Sequence, residues 1–157
     1  MRSQIRVLVC GALLAALVLA TGAMSVAAVA AGQTREPAPL PDLIEDDSCG
    51  FLVEVTFPVN DEYAITIYDG QGDPTRIIIT GRLVATFTNP ATGEAFTANI
   101  SGPSHLDLVR GTSTQEGPIG GPVGNLPGLN VFAGRADLST GELRGHLLVD
   151  VCALLAP

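Results

Sequence analysis

The chain contains no lysine and no tryptophan, and only two histidines and three cysteines in 157 residues. Each shortage narrows what it can do. All eight positive charges are arginines, set against sixteen acidic residues, for a formal net charge of −8. Arg2 and Arg6 stand at the extreme N-terminus, so the remainder is more acidic still. Such a surface repels phosphate backbones, so nucleic acid is excluded as a partner, and docking on anionic lipid is disfavoured. Its bland role is solubility outside the cell. Beyond residue 31 no helical period of useful length occurs, which excludes helical folds.

What is present begins with an export signal. Arg2 and Arg6 make a short basic region, and Val7 to Ala20 is an unbroken run of Val, Leu, Ala, Gly and Cys. Ala28-Val29-Ala30 then supplies the small-x-small pattern read by signal peptidase. Residues 1–31 are therefore read as a signal peptide cleaved after Ala30 or Ala31. An uncleaved anchor is the competing reading, since Val7 to Ala31 is long enough to span a bilayer, but Thr21, Gly22 and Ser25 dilute its apolar character. Cys10 lies before most of the apolar run and follows Leu8-Val9, the wrong context for a lipid anchor. The expected location is secreted, extracellular or cell-envelope, with membrane contact only through the signal segment before cleavage. Arginine without lysine, with abundant Ala, Gly and Pro, is also the composition of a GC-rich bacterial genome.

Residues 32–48 read as a Pro/acidic linker: Pro37, Pro39 and Pro41 interrupt hydrogen bonding, and Glu45-Asp46-Asp47 repel one another. That acidic run lacks the ligand spacing and turn glycine of a calcium loop. Residues 49–157 read as a single β-domain, long enough for one core and too short for two. Phe51, Val53, Val55 and Phe57 alternate with Leu52, Glu54 and Thr56, and Tyr63, Ile65 and Ile67 with Ala64, Thr66 and Tyr68. A turn falls at Asp69–Pro74. Arg76 to Thr88 reads as a long strand with a bulge or bend at Gly81. Asn89–Gly93 is a hairpin loop before a strand carrying Phe96, Ala98 and Ile100, and Leu106 and Leu108 mark the next. Gln115 to Gly128, dense in Gly and Pro, reads as a long mobile surface loop, with room for a short edge strand around Ile119–Val123. Leu129–Leu138 and Glu142–Cys152 form a closing hairpin.

These spacings predict an all-β fold, an antiparallel barrel or sandwich of about seven or eight strands. Cys49 precedes the first strand and Cys152 ends the last. In an exported chain, two cysteines so placed predict a disulfide, with the terminal strands side by side.

Three stretches carry a resemblance: Thr88-Asn89-Pro90-x-Thr92-Gly93, Asn99-Ile100-Ser101-Gly102-Pro103, and Asp150-Val151-Cys152-Ala153-Leu154-Leu155. With the strands between them they resemble small secreted actinobacterial β-domain proteins of unknown function, over about Ser48 to the C-terminus. The resemblance implies a shared fold and carries over no functional residue.

Candidate chemistry is sparse. Ser104-His105-Leu106-Asp107 holds the three residue types of a hydrolytic triad, but neighbours on a strand point to opposite faces and cannot form the relay. No Gly-x-Ser-x-Gly elbow occurs. A zinc site would need His105, His146 and Asp107 to meet, and His146 and Asp150 lie about 13 Å apart along one strand. Asp69 and Asp73 flank a glycine turn and fit an Asx-type turn better than a calcium loop. Asn99-Ile100-Ser101 matches a eukaryotic glycosylation acceptor without a bacterial meaning. No catalytic, cofactor-binding or metal-ligating residue is assigned, no cofactor is expected, and Cys49 and Cys152 are the only site residues. The function read from these features is a non-enzymatic binding or envelope-associated module, taking an extracellular protein or small-molecule ligand. The alternatives are a small-molecule carrier with a barrel cavity, or an enzyme whose site is assembled from residues distant in sequence.

Overall fold

Alternating β-branched and polar residues dictate extended backbone, and the computed structural model, which describes residues 32–157, is built almost wholly of strands. In chain order they are β1 (Gln33–Pro37), β2 (Leu43–Asp46), β3 (Val53–Asn60), β4 (Tyr63–Tyr68), β5 (Pro74–Thr80), β6 (Leu83–Thr88), β7 (Ala95–Asn99), β8 (Ser104–Asp107), β9 (Thr112–Gly121), β10 (Asn130–Asp137) and β11 (Leu143–Asp150). A single helical turn, α1 (Val151–Leu154), follows. They form two antiparallel sheets, seven strands in the order β1-β4-β5-β8-β9-β10-β11 and four in the order β2-β3-β6-β7. The fold is sandwich-like, as expected of an all-β chain, and no barrel closes. The export segment lies outside the described residues.

The two sheets share one device. β3 runs into β4 and β5 into β6, while β3 pairs with β6 and β4 with β5. Together they are one long hairpin, bent so that half of it lies in each sheet. The bend sits where Asp61 and Glu62 meet Gly81 and Arg82, and the Asp61 N–H donates to the Arg82 carbonyl at 2.8 Å. Gly81 has φ +144°, and a Cβ there would overlap the Asp61 carbonyl oxygen. The bend foreseen at Gly81 is thus a corner between sheets, and the long strand of Arg76–Thr88 becomes two. β7 and β8 follow the same course along β6 and β5.

The segment 32–48 departs from the expected tether. β1 pairs with β4 and β2 with β3, and Ala38 donates to the Glu62 carbonyl at 3.1 Å as the chain turns the corner. The prolines do not prevent this. Pro37 ends β1, and Pro39 and Pro41 lie in the connection between the strands. Both strands are sheet edges, where a missing N–H costs least.

The Gly/Pro stretch departs likewise. Residues 112–121 are a ten-residue strand lying between β8 and β10, so only 122–128 remains a loop. The Glu116 N–H donates to the Pro103 carbonyl at 2.9 Å, on the side away from β10. Strand alternation puts the Pro118 nitrogen on that same side, so its missing N–H breaks no bond to β10. Glycine also has a positive use here: a Cβ on Gly120 would strike the Ile100 side chain.

The main core joins Val53 and Val55 of β3, Leu83, Ala85 and Phe87 of β6, Ile100, Leu129, Val131, and Val151 and Leu155 at the C-terminus. A smaller one joins Ile119, Val123, Phe132 and Ala136, on the other side of β9 and β10. Val131 and Phe132 are consecutive and serve different cores, and the β10–β11 register shifts between them.

Cys49 and Cys152 are disulfide-bonded, with Cα atoms 5.1 Å apart. The strand adjacency inferred from that pair does not hold. β3 belongs to the four-stranded sheet and β11 to the seven-stranded one, so the bond staples one sheet to the other. Nor does the last strand reach Cys152. The Asp150 carboxylate accepts from the Ala153 N–H at 3.0 Å, an N-cap that ends β11 and starts α1.

Candidate functional site

Ser104, His105 and Asp107 lie on β8 between β5 and β9. Ser104 opposes Ile79 and Gln115, whereas His105 opposes Ile78 and Thr114. The two side chains therefore stand on opposite faces. Asp107 has a structural partner set: its carboxylate accepts from the Val109 N–H at 3.1 Å and the Arg110 N–H at 2.9 Å, holding the turn into β9. The Arg110 guanidinium stands 3.7 Å from it on an exposed side.

His146 opposes Ala133, three strands from β8 and four residues along β10 from Asp137, which lies in line with His105 through Thr114. At about 4.8 Å per strand and 3.3 Å per residue, the two histidines are more than 10 Å apart in each direction. They do not share a metal. Among the described residues no group of three or more His, Cys, Asp or Glu is placed to hold one.

The remaining sequence candidates serve turns. The Asp69 carboxylate accepts from the N–H groups of Gln71 and Asp73, both at 2.9 Å, which is the Asx geometry expected there. Asn99 accepts from the Ser101 N–H at 3.0 Å. Glu45-Asp46-Asp47 is split between an edge strand and a turn, where Asp46 binds the Ser48 N–H and hydroxyl.

Sequence reasoning missed Asn89. It is 1 % exposed, its amide donates to the Leu155 carbonyl at 2.8 Å, and its Oδ1 accepts from the Ala91 N–H at 2.9 Å. The loop after β6 and the C-terminal turn, two of the three stretches carrying the resemblance, thus meet through one side chain. In the third, the Ser101 hydroxyl donates to the Leu83 carbonyl and accepts from its N–H. Asparagine before Pro-x-Thr-Gly signals a turn, and nothing in that signal points to a partner 66 residues away.

Two surfaces have the character of binding sites. One is an apolar cleft of about 140 Å³ between Ile44, Phe57, Phe87, Ile100 and Leu129, with Asp46 at its rim. The other is broader. No residue of β1, β4, β5 or β8 is buried, although these strands carry Ile65, Ile67, Ile77, Ile78, Ile79 and Leu106. Ile65 lies opposite Ile78 on one face of the sheet and Ile77 opposite Leu106 on the other, half-buried cross-strand pairs that belong to neither core cluster. At the inner end of this arm Arg35 stacks on Tyr63 at 3.5 Å. Nearby Glu62 is half-buried, and desolvation raises its carboxyl pKa above the ordinary value. Among the described residues no helix is long and apolar enough to cross a membrane. No family model, no curated protein and no solved structure matches this chain.

Proposed function

We propose that this chain is an exported, non-enzymatic binding or envelope-associated β-domain, and that the arm formed by β1, β4, β5 and β8 is its recognition surface. The observation that carries the reading is the arm itself: five isoleucines on the adjacent strands β4 and β5, flanked by β1 and β8, none of them buried. A sheet gains stability by covering an apolar face, and a face left uncovered in the free chain marks an interaction site. The disulfide supports an oxidising compartment, in keeping with the basic and apolar N-terminal segment. The resemblance to small secreted actinobacterial proteins agrees with that location.

The carrier reading is less well supported. A cleft of about 140 Å³ is smaller than the roughly 300–1,000 Å³ of ordinary ligand pockets, and the positions facing it are filled by Phe, Ile and Leu. The enzyme reading lacks a converging set of side chains.

The test is fractionation of the exporting cells. The wild-type chain should be retained with the envelope fraction. Ile67→Asp and Ile78→Asp should release it into the medium while circular dichroism still shows the native β-fold. Equal retention of both variants would reject the arm as the recognition surface.

A further inference from the structure

We propose that β11 is a dimer seam, at which a second copy of this chain adds its own β11 antiparallel, about a two-fold axis through Gly145. The seam is separate from the arm and does not rest on the arm's role.

The edges of the two sheets are unequally defended. Four strands have a free side: β1, β11, β2 and β7. β1 has five residues, carries Arg35 and Glu36 and ends in Pro37; β2 has four, two of them acidic; β7 has five. Shortness, charge and proline keep an edge from pairing with another chain. β11 has eight residues and no proline. Residues 144–148 are all exposed, and Leu147 and Leu148 keep 45 % and 50 % of their surface in water.

The outer backbone of β11 is also unpaired. The Asp137 N–H donates to the Glu142 carbonyl at 2.8 Å, so the Glu142 backbone bonds toward β10. Strand alternation turns the backbone of Arg144 and His146 the same way and points the N–H and C=O of Leu143, Gly145 and Leu147 outward. Among the described residues none of those outward groups has a hydrogen-bond partner.

Two-fold pairing about Gly145 satisfies all of them. Gly145 faces the partner's Gly145, and Leu143 faces the partner's Leu147 on each side of the axis, every pair exchanging N–H···O bonds. The side chains agree. Leu143, Gly145 and Leu147 lie opposite Ala136, Gly134 and Phe132, on the face of the smaller core, against which Leu143 already packs. Cross-strand leucine pairs therefore extend that core over the seam and cover Leu147. On the other face Arg144, held by Glu142 at 2.9 Å, meets the partner's His146, and no carboxylate meets another. An axis at Leu147 would carry the ladder across the register shift at Leu148, and one at Leu143 would run it into the turn at Ser139-Thr140. The leucine spacing about Gly145 fits the segment to itself, which favours a second copy over a foreign strand. The seam is short, so the dimer belongs with weak, reversible interfaces.

The register supplies the test. Arg144 and the partner's His146 form a non-hydrogen-bonded pair, whose Cα atoms come within about 4.5 Å, inside the reach of a disulfide. In a Cys10→Ser background, Arg144→Cys and His146→Cys chains are mixed and oxidised. The mixture should give a heterodimer linked between positions 144 and 146 by mass spectrometry, and each variant alone should stay largely monomeric. In sedimentation the wild-type chain should self-associate reversibly. Leu147→Asp should weaken that association at least about tenfold, whereas Leu138→Asp, at a comparably exposed leucine off the seam, should not. Both cysteine substitutions replace exposed side chains, so they supply the readout if Leu147→Asp fails to fold. A wild-type chain that stays monomeric up to about 1 mM would overturn the proposal. So would association that Leu147→Asp leaves intact, cross-linking of each variant with itself as readily as with the other, or a foreign polypeptide held at β11 in place of a second copy.

Discussion

The two ends of the bent hairpin differ in a way their sequences do not. Val53-Glu54-Val55 in β3 and Ala85-Thr86-Phe87 in β6 alternate apolar and polar residues, as Ile65-Thr66-Ile67 does in β4, and β5 facing it carries the apolar run Ile77-Ile78-Ile79. In the first region Val53, Ala85 and Phe87 are almost completely buried. In the second, on the same continuous strands past the corner at Gly81, nothing is buried. The cause is not local. Leu129, Val131, Val151 and Leu155 arrive from the C-terminal third to cover β3 and β6, and no segment arrives to cover β4 and β5. Alternation prepares a face for burial, and a second layer decides whether it is buried.

The comparison can be broken by substitution. Phe87→Ala in the covered half should cost about 3–5 kcal/mol, the range for a fully buried aromatic, measured by urea unfolding. Ile77→Ala in the arm removes a comparable side chain and should cost only about 1 kcal/mol, because little cavity forms on an open face. Equal costs would mean that the arm has a core after all. The disulfide belongs to the covered half, where Cys49 and Cys152 pack against the main core. Paired Cys49→Ser and Cys152→Ser substitutions release a loop of 103 residues and should cost about 4 kcal/mol, read from the shift in urea midpoint. Asn89→Ala should cost about 2 kcal/mol, since the Leu155 carbonyl loses its buried donor.

The smallest effect lies at the corner between the halves. Burial raises the Glu62 carboxyl above its ordinary pKa, so the folded chain holds that proton more tightly than the unfolded one. The contribution to stability is fully present below the unfolded pKa and is lost as pH rises through the folded value. At neutral pH Glu62→Gln should therefore stabilise the domain, by less than about 1 kcal/mol because the site is half open to water, and the gain should vanish in acid.

Much of this was legible in the sequence. Period-two alternation located β3, β4, β6 and β7, Gly81 marked the corner, Asp69 the turn, and the cysteines the staple. Three features escaped, each for a physical reason. Pro37, Pro39 and Pro41 suggested an unpaired tether, but edge strands and corners accept proline. Gly117 and Pro118 suggested a loop, but one side of β9 beyond Pro103 has no strand to bond. The terminal cysteines suggested neighbouring strands, but a disulfide fixes a distance and not a sheet, and here it crosses between sheets. Of the candidate surface, the isoleucines were visible and their incomplete burial was not, because nothing in β4 or β5 records whether another segment will cover them.

Native-state hydrogen exchange tests the division most directly. In the isolated chain, amides of β3, β6 and β10 should exchange only through global unfolding. Those of β1, β4 and β5 should exchange by a smaller opening, at least about tenfold faster, or roughly 1.4 kcal/mol less protected. Uniform protection across both halves would contradict the account.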